Sequence, residues 1–334
     1  MKKLILLSLS LLLSFSLFAN AEPTKKFGAR YWHSEGETEW SHCASLQCGG
    51  GSFTPITHNG VTYSSYGDPT SQLTYSDTKA KVLEFFGDFS LPQNDDLIFS
   101  FKLGSGSGDG GSFRDKDWVL VPGTNTSSTF SDTLSDTRDT KVDYHVLDFG
   151  RVYSFNKYSL KPFFGYFKYE EELNAYGLEY LDDELQYYGG GSRGIDSSLV
   201  NTKVIKNEIT WTGIRIGTEY INSITDKANF IINAAYVYDA EADNEDSHVL
   251  RTSPADLGPV PNILGDGDGD GVMLDIIGEI NQTDSLNFSF GYRYWKLESD
   301  NSTTAFGPDF SPKYPGRSLY SERSGLIASV SYNF

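Results

Sequence analysis

Residues 285–295, SLNFSFGYRYW, carry apolar and aromatic side chains at every second position. Leu286, Phe288, Phe290, Tyr292 and Tyr294 share one face, and Asn287, Ser289, Gly291 and Arg293 share the other. Period two is the signature of a β-strand, whose successive side chains point to opposite faces. A bulky aromatic face opposite a face that carries arginine and glycine suits a strand with lipid outside and a polar lumen inside. The pattern recurs in 97–104, LIFSFKLG, where Leu97, Phe99, Phe101 and Leu103 oppose Ser100 and Lys102. It recurs again in 228–243, where Phe230, Ile232, Ala234, Tyr236 and Tyr238 oppose Asn233 and Asp239.

Two ends of the chain agree with this reading. Lys2 and Lys3, the apolar stretch Leu4 to Phe18 and the small-x-small site Ala19-Asn20-Ala21 form a secretory signal peptide, residues 1–21. The apolar core is too short for a confident membrane-spanning helix, and the remaining chain has no apolar run long enough for one. That remainder is nonetheless rich in aromatics and glycine, within totals of 21 Tyr, 22 Phe and 33 Gly. At the other end, SGLIASVSYNF alternates through Leu326, Ala328, Val330 and Tyr332 to a terminal Phe334. It resembles the last strand of bacterial outer-membrane barrels. The expected architecture is therefore all-β: a single domain, residues 22–334, folded as a ten-stranded antiparallel transmembrane β-barrel.

Reading the period along the chain predicts strands at 26–40, 71–90, 97–108, 139–155, 158–177, 206–222, 227–247, 271–282, 285–299 and 321–334. In the fourth, Leu147 and Phe149 fall out of step with Val142 and Tyr144, which points to a bulge or a misread register. Short connections, LPQNDD, FNKY, NSITD and QTD, alternate with long ones around 41–70, 109–138, 178–205, 248–270 and 300–320. Short periplasmic turns and long extracellular loops are the outer-membrane pattern. Ten strands leave little room for a pore, since diffusion channels use about sixteen or more. Function is expected at the extracellular rim, and a small channel is disfavoured.

The net charge of −18 disfavours nucleic-acid binding, which needs basic patches, and suits cationic partners. Cys43 and Cys48, the only cysteines, flank ASLQ and are expected to close a small disulfide loop in an oxidising compartment. Asp266, Asp268 and Asp270 in LGDGDGDGV invite a calcium reading. An EF-hand would want Glu at its twelfth position, where Ile277 stands, so the stretch reads as a turn before the eighth strand, and no metal or other cofactor is expected. His33, His42, His58 and His145 lack a partner pattern and read as rim or lumen residues.

Two acidic motifs fall at the outer ends of strands. Asp115 and Asp117 follow the third, and Asp246 and His248 close the seventh, two apart and so on one face if the strand continues. A carboxylate beside an imidazole fixes its tautomer and raises its basicity. Two adjacent carboxylates push one pKa up and can share a proton or hold a water. GGSFRDKDW (110–118) and DNEDSHVLR (243–251) resemble the two catalytic segments of the omptins, ten-stranded outer-membrane endopeptidases. SQLTY (71–75) resembles their second strand, and GARYWHSEGETEW (28–40) more loosely the first. GARYW and DGDGDG look more like a less characterised omptin-like group than like the proven proteases.

The resemblance implies an endopeptidase with His248 as base, oriented by Asp246, and with Asp115 and Asp117 holding the attacking water. It implies preference for basic residues through Glu37 or Glu39, Asp132 and Asp243. Strict alignment instead puts Trp40 and Asn244 at two of those places, and a slip of one residue would restore the acids only by turning them to the other face. The family also implies lipopolysaccharide as an activator and partner. No basic cluster stands out here, with Lys161 and Lys168 isolated. The expected protein is a monomer in the outer membrane of a Gram-negative bacterium, its site extracellular, with cationic peptides or proteins as substrates. The competing reading is a non-catalytic barrel acting as adhesin, receptor or structural protein.

Overall fold

A lipid-facing wall has no water to satisfy its backbone, so every N–H and C=O must pair within the wall, and the wall must have no edge. The computed structural model describes residues 25–91, 94–181, 194–307 and 309–334; the expected signal peptide lies outside them. Every regular element among the described residues is a strand: β1 (Lys25–His42), β2 (Ile56–His58), β3 (Val61–Tyr63), β4 (Tyr66–Leu91), β5 (Asn94–Gly108), β6 (Ser112–Leu120), β7 (Ser127–Arg151), β8 (Tyr153–Ser154), β9 (Tyr158–Tyr180), β10 (Gly194–Ile195), β11 (Lys203–Thr225), β12 (Ala228–His248), β13 (Ile263–Asn281), β14 (Leu286–Phe306) and β15 (Tyr314–Asn333). β1 pairs with β4, and β4 pairs with both β5 and β6, which pair with β7. Pairing continues through β9, β11, β12, β13, β14 and β15 and returns to β1. With β5 and β6 counted as one interrupted strand, ten antiparallel staves close the ring among the described residues. β2 and β3 form a small hairpin beside it, while β8 and β10 each add a short pairing to β9.

The aromatic and aliphatic residues of the alternating segments lie on the outside. Phe99, Leu147, Phe164, Ile216, Phe288 and Leu326 are exposed large side chains of this kind, on six different staves. In water such a belt would be costly, and in a bilayer it is solvated. His33 and His145 share this outer surface rather than the lumen. Lys161 does the opposite: it is buried inside, between Asp88 (3.0 Å) and Glu219 (2.9 Å), so it cannot meet a lipid headgroup.

Several staves run further than their periodicity suggested, and all the long extensions are at the same end. β7 begins at Ser127 rather than 139, β13 at Ile263 rather than 271, and β14 continues to Phe306. Much of the expected loops at 109–138, 248–270 and 300–320 is therefore wall that stands above the apolar belt. Polar residues fill both faces of this upper wall, so hydropathy carries no period there. Asp266, Asp268 and Asp270 belong to strand β13, not to a turn. Asp266 accepts from Thr303 (2.7 Å) and pairs with Lys313, and Asp270 accepts from Tyr236 (2.6 Å).

Between belt and upper wall the inward–outward parity of several staves is reset. Asp77, Asp139 and Asp239 have φ of 54°, 52° and 57°, the left-handed region that aspartate tolerates better than most residues. Register shifts accompany them in the pairings of β4, β7 and β12. In the third stave Gly110 and Gly111, at φ 118° and 106°, do the same between β5 and β6, and a Cβ on Gly111 would meet Ser76 O at 2.5 Å. In β12 the buried series Ile231, Asn233, Ala235, Val237 becomes Ala240, Ala242, Asn244, Asp246. The irregularity expected near Leu147 has another cause. Val142, Tyr144 and Val146 face inward and Leu147 outward in one continuous alternation, because the lumen is itself partly apolar.

The lumen is packed. Arg293 donates two bonds to Asp275 (2.8 and 2.9 Å), one to Glu84 (2.7 Å) and one to Tyr144 (2.8 Å), with its guanidinium over the Trp295 and Trp32 rings. Arg30 completes Glu84 at 2.8 Å. These groups come from five staves, so the cluster spans the barrel. One level higher, Arg323 bonds Glu171 (2.8 Å) and Thr78 (2.9 Å). Beyond the Arg293 cluster, towards the short-turn end, a cavity of about 460 Å³ holds Lys102, Asp148 and Glu219 in its lining. Removing one partner of a buried, fully bonded ion cluster leaves the others unpaired in a dry interior, at a cost of about 3–5 kcal/mol. Arg293→Met should therefore lower stability by that amount in denaturant titration of the folded barrel in detergent, whereas Arg138→Met, at an exposed pair, should change it little.

Candidate active site

The parity resets decide what faces the mouth. On β6, Phe113, Asp115 and Asp117 point inward opposite Tyr75, Leu73 and Ser71 of β4, because directly paired residues share a face. The Ser71 hydroxyl donates to Asp115 Oδ1 at 3.4 Å and also bonds Asp117. Both aspartates, expected in a loop after the third strand, are strand residues, which fixes their direction. Across the mouth on β12, Asp246 is fully buried and His248 sits two residues above it on the same face.

His248 Nε2 lies 2.9 Å from Asp246 Oδ2, with its N–H turned off the line to the oxygen. The His248 backbone is clamped by buried Asn262, whose Oδ1 accepts from His248 N–H (2.9 Å) and whose Nδ2 donates to His248 O (3.3 Å). No periodicity could have pointed to Asn262, which lies in the connection before β13.

The four groups sense one another. Burial raises the Asp115 pKa, and the neighbouring charge of Asp117 raises it further, to about 8; His248 opposes the shift. Burial also raises Asp117, against the Ser71 hydrogen bond and the charge of His248. For His248 burial works downward, but the charge and contact of Asp246, helped by Asp115, outweigh it and the net shift is upward. Two inward carboxylates with raised pKa values, opposite an imidazole held beside a buried carboxylate, make an arrangement able to hold and deprotonate a water. Among the described residues, no three of these groups bring ligand atoms within 4.8 Å of one another, so they do not converge on one metal ion.

Two further residues enter that sequence reasoning did not assign to the site: His42, expected only as a rim or lumen residue, and Tyr75. His42 stacks on Trp40 (4.9 Å) and meets Phe306 edge-on (5.0 Å). Burial, then the charge of His248, lowers its pKa to about 3, so it stays neutral. Tyr75 packs on Phe113 at 4.5 Å, and burial together with Asp246 and Asp115 pushes its hydroxyl well above the usual range. Both face inward at alternate positions from residues that periodicity had placed, and only long-range register brings them to the site.

The expected specificity acids are elsewhere. Glu37 and Glu39 face outward, bonded to Tyr320 and to Ser318 (2.8 Å), while Trp40 takes the inward place. Asp243 is exposed on the outer face and Asn244 is buried on the inner. Asp132 shares the outer face with Arg114, which takes both its oxygens at 2.8 and 2.6 Å. The physical reason is common to β1 and β12: odd positions in the upper wall look outward. Cys43 and Cys48 do form a disulfide, at the end of β1.

No family model matches the chain, and no curated protein matches it in sequence. Among solved structures it is similar to the outer membrane protease OmpT from Escherichia coli, with a TM-score of 0.69, 12% identity, and coverage of 94% of this chain and 99% of that one. It also aligns with the translocator domain of the autotransporter NalP from Neisseria meningitidis, at TM-score 0.37 and 10% identity over 100% of this chain and 96% of that domain. The likeness to OmpT, at this identity, is one of fold: an outer-membrane β-barrel of omptin shape.

Because Asp115 titrates near 8 when folded and near 3.8 when unfolded, the folded chain holds a proton that the unfolded chain releases. Its stabilising contribution is complete below about pH 4 and is lost as pH rises to about 8. Melting of the wild type should lose stability across that window relative to Asp115→Asn, which cannot ionise there. Parallel pH profiles for the two proteins would remove this assignment.

Proposed function

We propose that this chain is an omptin-like endopeptidase of the outer membrane, with its site on the extracellular side. The observation that carries the reading is the contact of His248 with Asp246 inside the mouth, facing Asp115 and Asp117 in the same electrostatic neighbourhood. The exposed aromatic belt and the tall upper wall support the membrane placement.

In this reading the Nε2 side of His248 is held by Asp246, and Nδ1 is the ring nitrogen left to take a proton from water. The water sits between His248 and the aspartate pair and attacks the peptide carbonyl directly. The proton shared by Asp115 and Asp117 is donated towards the developing oxyanion, and His248 returns its own to the leaving amine. No acyl-enzyme forms, so no serine or cysteine nucleophile is needed.

The test is cleavage of a mixed peptide library by the folded barrel in detergent with lipopolysaccharide. His248→Ala and Asp115→Ala should each lower kcat/KM by at least about 100-fold, the usual scale for removing a positioned acid or base. Glu37→Gln, on the outer face, should leave it unchanged. Cleavage that survives His248→Ala at full rate would overturn the assignment.

A further inference from the structure

β12 outruns its partner strand at the residue the proposed reaction needs most. β13 begins at Ile263, opposite Asp246, so His248 stands two residues beyond the last pair on that side. At the register of the sheet, Pro261 would lie opposite His248. Proline has no N–H to offer a ladder. A stave end left without partners frays, and fraying here would release the imidazole.

Asn262 fills the gap with its side chain. Its carboxamide offers a donor and an acceptor, as a peptide group does. Oδ1 accepts from His248 N–H (2.9 Å) and Nδ2 donates to His248 O (3.3 Å). Exchanging O and N would set donor against donor and acceptor against acceptor, so the bonding fixes the orientation of the amide. Nδ2 also donates to Gly258 O (3.3 Å). The backbone of Asn262 is tied as well: its N–H donates to Asp246 O (3.2 Å), and its carbonyl accepts from Gly307 N–H (2.9 Å). Asn262 is fully buried and anchored to β12, to the connection before β13 and to the residue that follows β14.

We infer that Asn262 is a positioning residue for the proposed reaction: by completing the ladder that Pro261 cannot, it holds the His248 imidazole beside Asp246 and across the mouth from Asp115 and Asp117. The inference rests on the endopeptidase reading. In that reading Asn262 touches neither the water nor the peptide and acts through the His248 backbone. The charges around the ring give a direct measure of its place. Burial lowers its affinity for protons, Asp246 on its own stave and Asp115 of β6 raise it, and Arg251 lowers it. Asp117 of β6 and His42 of β1 also lie within reach of its charge. A ring drawn away from Asp246 loses the largest of the raising contributions.

The experiment is NMR titration of the His248 ring, assigned by the signal lost in His248→Ala, together with peptide cleavage kinetics, both on the folded barrel in detergent with lipopolysaccharide. Asn262→Ala should move the His248 midpoint down by at least about half a pH unit, towards the value of about 6.5 of a free imidazole. It should lower kcat by at least about tenfold with KM within about twofold, the pattern of a displaced reacting group. Asn262→Leu, which fills the space without the hydrogen bonds, should do the same and carries the test if the alanine variant does not fold. Asn174→Ala removes an equally buried amide, bonded to Asp139 O (3.0 Å) on another stave, and should change neither reading. A folded Asn262 variant that keeps either the wild-type midpoint or the wild-type kcat overturns the inference, as does an equal loss in Asn174→Ala. If the wild type cuts no peptide, the endopeptidase reading fails and the titration alone decides: a displaced midpoint in the Asn262 variants upholds the positioning of His248, and an unchanged one overturns it.

Discussion

A wall made of paired β-strands gives each residue a choice of two directions, lumen or outside. Backbone pairing enforces this, because a stave cannot rotate without breaking hydrogen bonds to both neighbours. Everything chemical at the mouth depends on that parity. Asp115 and Asp117 face inward because Gly110 and Gly111 shift the third stave by one position. Asp246 and His248 face inward because Asp239 shifts the seventh. Without those shifts the same sequence would present Asp243 and Glu245 to the lumen, and the histidine would lie outside.

The packed lumen has a second effect. Arg293 and Arg323, each bonded to groups on several staves, brace the barrel from within. Residues of the mouth are therefore held by a wall with little freedom to breathe, which is what positioning of a water between two titratable pairs requires. Acids of the upper wall divide by direction: Glu37, Glu39, Asp132 and Asp243 are turned outward, whereas Asp115, Asp117 and Asp246 face the mouth.

The broad architecture was legible because lipid contact imposes an apolar period of two: the belt segments, the order of the staves and the short turns all follow from it. The four candidate reacting residues were legible from motif resemblance and stave order. What lay above the belt was not. There both faces are polar, so β7 and β13 extend well beyond where hydropathy could follow them. The apolar lumen of Val142, Tyr144 and Val146 looked like a slip in register because the interior was taken as uniformly polar. His42, Tyr75 and Asn262 reach the site through pairings between residues far apart in the chain. A one-residue alignment slip could not be settled by sequence, yet it decides whether an acid or Trp40 faces the lumen.

The left-handed aspartates also separate two kinds of inheritance in the gene. Below them, substitutions answer to the bilayer; above them, to whatever visits the mouth. Because parity is set afresh at Asp77, Asp139 and Asp239, a gain or loss of one residue there inverts the rim of that stave and spares its lipid face. A lineage carrying such joints can rewrite what its barrel recognises without risking insertion, and neighbouring descendants with the same silhouette can present opposite faces of nearly the same rim sequence.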